Sequence, residues 1–350
     1  MSVAAVLEQA IAEGATPGAA AAVLGLGGER LVVCRGHLHR HPRAPLVDEN
    51  SIYDLASLTK LLSTTLICAD AVAAGTVALN ETPWPQWPSV SVRHMLSHSS
   101  GLPGWLPLFE HARRRNTAGR TAGADAVLHA ALETAVEATP GTQTTYSDVG
   151  MIALGAFLAA RLQAPLDVLF ARCARAFGEH GLRFVRIDED GYHPAVPAVA
   201  PTERCPWRRR VLHGQVHDEN GYAMGGVAGH TGLFGSLLDM ERAASFFLTA
   251  VKEPRSPLAS TLAAFATAQG PRGLGFDKVT PGGSTGGVLS DQTVGHLGFT
   301  GTSLWIDPDA GRRGAAFVLL TNRINETRNN AIRQLRPAFH RAAMEWLQQR

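Results

Sequence analysis

Apolar and polar residues recur with two periods along this chain, and both ends combine a helical period with a strand period. The start, MSVAAVLEQAIAEG, places Val3, Val6, Leu7 and Ile11 on one side of a helix. The next stretch, PGAAAAVLGLGGERLVVCRGHLHRH, predicts two strands joined at the glycine-rich turn Gly25–Gly28. The N-terminal part is therefore predicted to form a helix followed by a β-hairpin.

The C-terminal part repeats this combination in the opposite order. GTSLWIDP and AAFVLLTN predict two neighbouring strands with GRRG as the turn, and NAIRQLRPAFHRAAMEWLQQR predicts a helix that Pro337 could kink. Residues 60 to about 250 are mostly helical in pattern, with a helix expected from Gly150 to Leu162. The stretch DLASLTKLL begins this part, and Asp54 is the expected cap of its helix.

These elements predict an α+β fold. The simplest assembly is an antiparallel sheet built from both chain ends, flanked by the terminal helices, with an all-helical lobe inserted. Residues 1–350 would form one unit, with an α/β lobe at 1–56 and about 250–350 and a mainly helical lobe at about 57–249. We expect an active site in the cleft between the lobes.

Composition narrows the class of protein. With 350 residues, 45% of them hydrophobic, the chain can bury a sizeable core, and a net charge of +2 argues against a nucleic-acid-binding protein. The arginine clusters Arg113–Arg115 and Arg208–Arg210 lack the interleaved aromatic residues of a nucleic-acid groove. No apolar run approaches the length of a membrane span.

Two further features concern the cellular compartment. The start lacks a basic n-region, and Glu8 and Glu13 interrupt its apolar residues, so it does not resemble a signal peptide. The four cysteines are scattered, which fits neither a zinc site nor a disulfide framework. The prediction is free thiols in the cytoplasm, or a periplasmic or secreted protein if a leader has been removed.

Lysine is rare in this chain, and one lysine has an unusual position. Only three of the 32 basic residues are lysines, and Lys60 lies three residues after Ser57 in an apolar run. This spacing puts both side chains on one helix face, and a buried lysine, unlike arginine, can lose its proton. The alternative is a lysine extending from a partly exposed helix to solvent.

Tyr146 is the second candidate for chemistry. It is one of four tyrosines and lies in GTQTTYSDVGMIALG, in a Thr/Ser-rich loop before an apolar helix. A phenolate beside a lysine cation could serve as a base, because an opposite charge lowers its pKa. The alternative is a core tyrosine whose hydroxyl is hydrogen-bonded.

The third candidate is the segment GHLGFTGTSLWIDP. Its glycines allow a close approach of the backbone to a ligand, and they flank His296 at the predicted start of a strand. The Phe299 N–H could stabilise an oxyanion together with the Ser57 N–H. A second GH-x-G segment at residues 229–232 competes, but it leads into a predicted helix and lacks strand context. We therefore favour His296 as a polar or cationic group beside the substrate.

The order of these motifs resembles a known superfamily. SLTK at residues 57–60, YSD at 146–148 and HLG at 296–298 are similar to the three motifs of the serine β-lactamases and penicillin-binding proteins. The class C-like branch, with its DD-peptidases and serine esterases, is the most similar. The segments MLSHSSGLPG and GGVAGHTGLFGSLLDMERAASFF match supporting segments of that branch. The resemblance covers nearly the whole chain.

The resemblance implies a β-lactamase/transpeptidase-like fold and a serine hydrolase. Ser57 would be the acylated nucleophile, with Lys60 and Tyr146 as general base and acid. The backbone N–H groups of Ser57 and Phe299 would form the oxyanion hole. The implied substrate is a small-molecule or peptide ester or amide, with no cofactor and no metal.

Substrate contacts would come from Asp148, His296, Gly298 and Thr300, and two of these differ from the family pattern. Many members have asparagine at the position of Asp148, and ionised aspartate accepts hydrogen bonds but cannot donate them. His296 replaces a lysine found in many relatives and gives a weaker fixed charge at neutral pH. Both differences favour an esterase, amidase or peptidase over a dedicated β-lactamase.

Other hypotheses remain open at this point. The same site could support weak β-lactamase or acyl transferase activity. A metal-dependent hydrolase could use His213 and His217 of HGQVHDEN, although no glutamate follows the first histidine as it does in zinc proteases. A non-catalytic member of the fold could bind a peptide or act as a scaffold, and the intact serine, lysine and tyrosine argue against that role.

Overall fold

A six-stranded antiparallel sheet formed by both ends of the chain is the centre of the structure. The computed structural model describes residues 1–41, 43–187, 198–325 and 330–350. The strands within these ranges are β1 (Gly18–Gly25), β2 (Arg30–Gly36), β3 (Tyr53–Asp54), β4 (Arg183–Phe184), β5 (Arg204–Cys205), β6 (Arg210–Val211), β7 (Leu233–Gly235), β8 (Asp277–Lys278), β9 (Val294–Leu297), β10 (Ser303–Asp307) and β11 (Ala315–Thr321). The central sheet has the order β2-β1-β11-β10-β9-β8, and β3, β7 and β4 form a small second sheet.

Helices cover the sheet and form most of the middle of the chain. A π-helical turn at Lys60–Thr65 continues directly into α2, and a 3₁₀ turn at Ala174–Phe177 follows α7. The α-helices are α1 (Val3–Ala12), α2 (Leu66–Ala73), α3 (Val92–Leu96), α4 (Phe109–Arg114), α5 (Thr121–Leu132), α6 (Asp148–Arg161), α7 (Leu166–Cys173), α8 (Glu219–Ala223), α9 (Leu237–Lys252), α10 (Pro257–Ala266) and α11 (Ile332–Gln348).

The central sheet is buried on both faces. Side chains of a strand alternate between faces, and in β1 this alternation separates two hydrophobic clusters. Ala19 and Val23 pack in the cluster that contains α1 and α11 residues, whereas Ala20 and Leu24 pack in the larger cluster with α9 and the middle helices. The small side chains of β1 allow helices to pack closely on both sides.

The α+β fold class predicted from the sequence is confirmed, as are the two terminal hairpins and terminal helices. Pro337 lies inside α11, and the four cysteines are free. The division into two lobes stays a prediction. Within the described ranges, no single helix has both the length and the apolar composition to cross a membrane; the bent pair Asp148–Arg161 and Leu166–Phe177 meets these criteria only when both helices are counted together.

Candidate active site

Ser57 lies on a strained turn between β3 and the helix that begins at Lys60. Ala56, the residue before it, has φ = 48°, a left-handed conformation that is unfavourable for alanine. The carboxylate of Asp54 accepts the N–H of Ala56 at 2.8 Å and the N–H of His217 at 2.7 Å. The prediction that Asp54 caps the helix is therefore wrong, because its carboxylate stabilises this turn instead. The turn places half-buried Ser57 in the wall of a cavity.

Lys60 is buried directly behind Ser57, with only 1% of its surface exposed. Its Nζ donates to Ser57 Oγ at 2.8 Å and to the backbone oxygen of His230 at 3.0 Å. Asp148 Oδ1 lies 2.8 Å from the same nitrogen. The ammonium thus donates two hydrogen bonds and forms one ion pair, and a planar guanidinium presents its donors in a different geometry.

The charge state of Lys60 follows from this environment. Burial disfavours the ammonium, but the charge of Asp148 and the interactions with Asp148 and Tyr146 together outweigh burial, so the pKa of Lys60 is raised above 10.5. A lysine with a raised pKa holds its proton at neutral pH. This direction favours a protonated Lys60 in the resting site, and the role of Lys60 as general base stays a prediction.

Tyr146 lies between two cations immediately before α6. The Lys60 Nζ is 4.8 Å from the centroid of its ring, and the Arg272 guanidinium carbon is 5.2 Å from it. Burial raises the pKa of Tyr146, while the charge of Lys60 and hydrogen bonds to Lys60 and Ser57 act in the opposite direction, and the net shift is upward. The resting side chain is therefore a phenol whose oxygen contacts the nucleophile. Sequence reasoning missed Arg272, because its segment carries no recognisable motif.

The second GH-x-G segment also reaches the site. The backbone oxygen of His230 accepts from Lys60, and its Nε2 lies 2.9 Å from Asp218 Oδ1. Burial would raise the pKa of Asp218, but the contact with His230 lowers it well below its usual range. Gly229 allows the segment to pass close to α6, because a Cβ at that position would lie 2.2 Å from the backbone oxygen of Met151. The repeated GH-x-G pattern could have identified His230, but only the segment that contains His296 was predicted to begin a strand.

His296 lies near the end of β9 and not at its start, and it is 2% exposed. Its Nδ1 is 2.8 Å from the backbone oxygen of Leu297, and because a carbonyl only accepts, Nδ1 carries the proton. Its buried Nε2 has no hydrogen-bond partner among the described residues. Burial, followed by the charges of Lys60 and Arg272, holds the pKa of His296 well below 6.5. His296 is therefore a neutral acceptor and not a cation.

The loop after β9 carries the predicted oxyanion donor. Arg336 donates to the backbone oxygens of Gly298 at 2.9 Å and Thr302 at 2.8 Å. Since the C=O and N–H of a trans peptide point in opposite directions, this contact directs the Phe299 N–H away from Arg336. Thr300 lies behind the cavity wall, where its buried hydroxyl donates to the backbone oxygen of Asp54 at 2.8 Å.

These groups surround a cavity of about 690 Å³ that is large enough for a small ester or a short peptide. Trp105 and Phe299, with 48% and 45% of their surfaces exposed, form an aromatic rim. Gly298, Asp148 and His296 also line it. A separate cavity of about 740 Å³ beside α5 and α6 has none of the candidate catalytic side chains in its lining.

The histidines considered for a metal site bind other groups. His213 Nε2 lies 2.8 Å from the backbone oxygen of Val199, whereas His217 Nε2 lies 3.0 Å from Glu203. In the part of the chain that the structure describes, no three His, Cys, Asp or Glu side chains are gathered as they would be around a metal ion. The two imidazoles of HGQVH therefore do not converge on a shared site.

Comparisons with known proteins agree with this geometry. A family model described as Beta-lactamase matches residues 3–338. A protein of Salmonella paratyphi A (strain ATCC 9150 / SARB42) named putative D-alanyl-D-alanine carboxypeptidase is 31% identical in an alignment 316 positions long that covers 78% of this chain and 70% of that protein. A similarly named protein of Salmonella newport (strain SL254) has the same identity and coverage.

Two solved structures show the same fold. EstCE1, described as a hydrolase with promiscuous acyltransferase activity, has a TM-score of 0.73 at 20% identity, over 97% of each chain. Simvastatin synthase from Aspergillus terreus has a TM-score of 0.71 at 17% identity, over 99% of this chain and 98% of that one. With the family model matching nearly its whole length, this chain belongs to the β-lactamase family of serine hydrolases.

Proposed function

We propose that this serine hydrolase cleaves neutral esters or amides through an acyl-enzyme on Ser57. The observation that carries the proposal is the 2.8 Å contact between Ser57 Oγ and the buried ammonium of Lys60, with the Tyr146 oxygen beside both. A serine that accepts a hydrogen bond from a cation has its own proton directed elsewhere, and Tyr146 is the neighbour able to receive it. No step requires a cofactor.

The first half-reaction is a proton relay through Tyr146. Ser57 Oγ bonds to the substrate carbonyl carbon while its proton passes to the Tyr146 oxygen. Tyr146 gives its original hydroxyl proton to the leaving oxygen or nitrogen as the bond to the acyl carbon breaks. Lys60 remains an ammonium throughout and stabilises the negative charge that develops on the two oxygens. The N–H groups of Ser57 and Phe299 stabilise the charge on the carbonyl oxygen.

The second half-reaction reverses this relay. Water, or another nucleophile, gives its proton to Tyr146 as it attacks the acyl carbon, and Ser57 recovers a proton as it leaves. The alcohol or amine released in the first step vacates the cavity where the second nucleophile binds. Acyl transfer to an alcohol is therefore the second activity that this site could support, and EstCE1 is described with such an activity.

The substrate class follows from the charges in the cavity. Asp148 directs a carboxylate oxygen to Lys60, and ionised Asp148 cannot donate to an acylamino oxygen. Neutral His296 offers no cation to a substrate carboxylate. These two groups support neutral esters or amides over β-lactams. Peptides ending in D-alanine, suggested by the names of the Salmonella relatives, carry a terminal carboxylate and are the charged substrates to compare with these neutral ones.

The remaining proposals concern partners and compartment. The chain's ligand would be a small-molecule or peptide substrate and not a nucleic acid, in keeping with the net charge of +2. The four free cysteines support the predicted cytoplasmic location, because a reducing compartment keeps thiols free. Fractionation of cells that express the full-length protein tests the location.

Turnover of p-nitrophenyl acetate by two serine variants tests the function. Ser57→Ala should lose at least about a thousandfold in kcat, since it removes the nucleophile. Ser63→Ala is the matched control, because Ser63 is fully buried in the helix that follows Ser57 and its hydroxyl has no partner among the described residues. It should stay within about twofold of wild type. Equal activity of the two variants would contradict the proposal.

A further inference from the structure

His98 holds the chain on both sides of Tyr146. The N–H of Thr145 donates to the backbone oxygen of His98 at 2.8 Å. The N–H of Ser147 donates to Nδ1 of the same histidine at 3.0 Å. One residue thus accepts the backbone N–H groups of the two residues on either side of the tyrosine. The segment MLSHSSGLPG, which contains His98, has no role in the mechanism above.

The ring of His98 also contacts the ring of Tyr146. The two centroids are 4.5 Å apart with an angle of 37° between the planes, on a histidine that is 2% exposed. His98 has φ = 54°, in the left-handed region, where residues other than glycine are held only by their surroundings. The strained backbone and the buried ring together determine where the tyrosine ring lies.

The rest of the segment continues this support. The Ser147 hydroxyl donates to the backbone oxygen of Pro103 at 2.7 Å, and the N–H of Asp148 donates to that of Gly104 at 2.7 Å. Residues 98–104 therefore accept four hydrogen bonds from residues 145–148, three from backbone N–H groups and one from the Ser147 hydroxyl. The loop before α6 is fixed in this way where its side chains face Lys60.

His98 can make these contacts only as a neutral imidazole. Its Nδ1 accepts the Ser147 N–H, so that nitrogen carries no proton. Burial lowers the pKa of His98 well below 6.5, and the charges of Arg272 and Lys60 lower it further. The acceptor is therefore present throughout the physiological pH range.

We propose that His98 is a positioning residue that holds the Tyr146 hydroxyl in line with Ser57. The inference rests on the proposed relay through Tyr146. His98 need not touch the substrate, and it is absent from the lining of the cavity. A shift of about 1 Å in a catalytic group can cost about a hundredfold in rate, so the three contacts of His98 bear directly on turnover.

Two substitutions separate the contributions of His98. His98→Ala removes the ring and the Nδ1 acceptor, and alanine disfavours the left-handed backbone. His98→Asn removes the ring, keeps a side-chain acceptor close to the position of Nδ1, and tolerates positive φ. His94→Ala is the matched control, because His94 also accepts a backbone N–H, at 3.2 Å from Ser91, in the preceding turn.

The experiment measures kcat and KM for p-nitrophenyl acetate in the wild-type and Tyr146→Phe backgrounds. In the wild-type background, His98→Ala should lower kcat about a hundredfold with KM within about twofold, and His98→Asn should recover at least about tenfold. His94→Ala should stay within about threefold of wild type. In the Tyr146→Phe background, His98→Ala should change kcat by less than about threefold, because the group that it positions is gone.

The outcomes separate the two proposals. A loss that is equally large in both backgrounds, or an Asn variant no better than the Ala variant, would overturn the positioning role. If His98→Ala does not fold, His98→Asn is used for the same comparison. Its loss of kcat in the wild-type background should then exceed its loss of kcat in the Tyr146→Phe background. If Tyr146→Phe alone keeps wild-type kcat, the proposed relay fails, whatever His98 does.

Discussion

Asp148 Oδ1 lies 2.8 Å from the Nζ of Lys60, which also donates to Ser57 Oγ, so this ion pair lies directly beside the predicted nucleophile. The lysine is 1% exposed and the aspartate side chain 16%, so solvent screens the pair weakly. An asparagine at this position would leave burial as the main influence on Lys60 and would lower its pKa. The carboxylate of Asp148 is therefore the group that most favours the protonated form of Lys60.

Asp148→Asn should shift the dependence of activity on pH. In the proposed relay Lys60 and Tyr146 both act in their protonated forms, and raised pKa values keep them protonated, so kcat/KM for a neutral ester should stay level through neutral pH and fall only in the alkaline range. Without the carboxylate, the pKa of Lys60 falls, and the falling limb should move to lower pH by about one unit or more. The measurement is kcat/KM for p-nitrophenyl acetate from pH 5 to 10, corrected for spontaneous hydrolysis.

Asp167→Asn is the control for this profile, because Asp167 pairs with Arg186 and does not line the active-site cavity. The pH-dependent limb of its kcat/KM profile should coincide with that of wild type. If Asp148→Asn leaves this limb unchanged, the ion pair does not determine the protonation of Lys60.

Esters should be hydrolysed faster than β-lactams. His296 offers a neutral imidazole and Asp148 an acceptor-only carboxylate, so these two residues give little support to the carboxylate and the acylamino group of a penicillin or cephalosporin. We expect kcat/KM for p-nitrophenyl acetate to exceed that for nitrocefin by at least about tenfold. The Asp148→Asn/His296→Lys double variant should shift the ratio towards the cephalosporin. Wild-type turnover that favours nitrocefin would show that the polar groups have been misinterpreted.

Lys60→Arg should be about as damaging as Lys60→Ala. The reason is geometric, since the ammonium donates to Ser57 and His230 and pairs with Asp148 in a space with almost no exposed surface. A larger planar group cannot keep these three contacts. Both variants should lose about a hundredfold or more in kcat for a p-nitrophenyl ester, with circular dichroism confirming the fold. An Arg variant within about threefold of wild type would show that positive charge alone is sufficient.

Buried histidines should make the protein less stable in acid. Burial holds the pKa values of His98 and His296 well below 6.5 and that of His340 at about 4. The unfolded chain, with histidine pKa values near 6.5, binds protons that the folded chain excludes. Stability is therefore full above about pH 6.5 and falls as the pH decreases. Each imidazole should cost about 1.4 kcal/mol per pH unit in that range.

Urea denaturation at pH 7.5 and 5.5 measures this loss. His340→Gln should reduce the difference between the two pH values, because it removes one buried titrating group. His129→Gln is the control, since 74% of that side chain is exposed. A wild-type stability that does not change between these pH values would contradict the assigned protonation states.

The architecture could be predicted from the sequence because its signals are periodic and local. Alternation in the terminal strands and a helical period in α1 and α11 come from the same residues that form the core. The three motifs also lie together as expected, since Ser57, Tyr146 and His296 line one cavity. Their catalytic roles stay predictions until variants are measured.

The differences arise from contacts between distant segments. Asp54 stands where a helix cap is expected, but His217 and Ala56 supply its hydrogen-bond donors. The sequence predicts Asp148 as a substrate contact, whereas in the structure its carboxylate also pairs with Lys60. His230 contributes its backbone oxygen to the site, and because every residue has such an oxygen, the identity of the residue does not reveal this contact. The sequence alone offers no information about such tertiary partners.

Mass spectrometry of the trapped acyl-enzyme tests the central claim most directly. The protein is incubated with a fluorophosphonate, digested, and the modified peptide is sequenced, with Ser57→Ala and Ser63→Ala treated in parallel. We predict one stoichiometric modification on Ser57, retained in Ser63→Ala and lost in Ser57→Ala. A label on another serine, or no label with this probe or a slowly hydrolysed ester, would contradict the account.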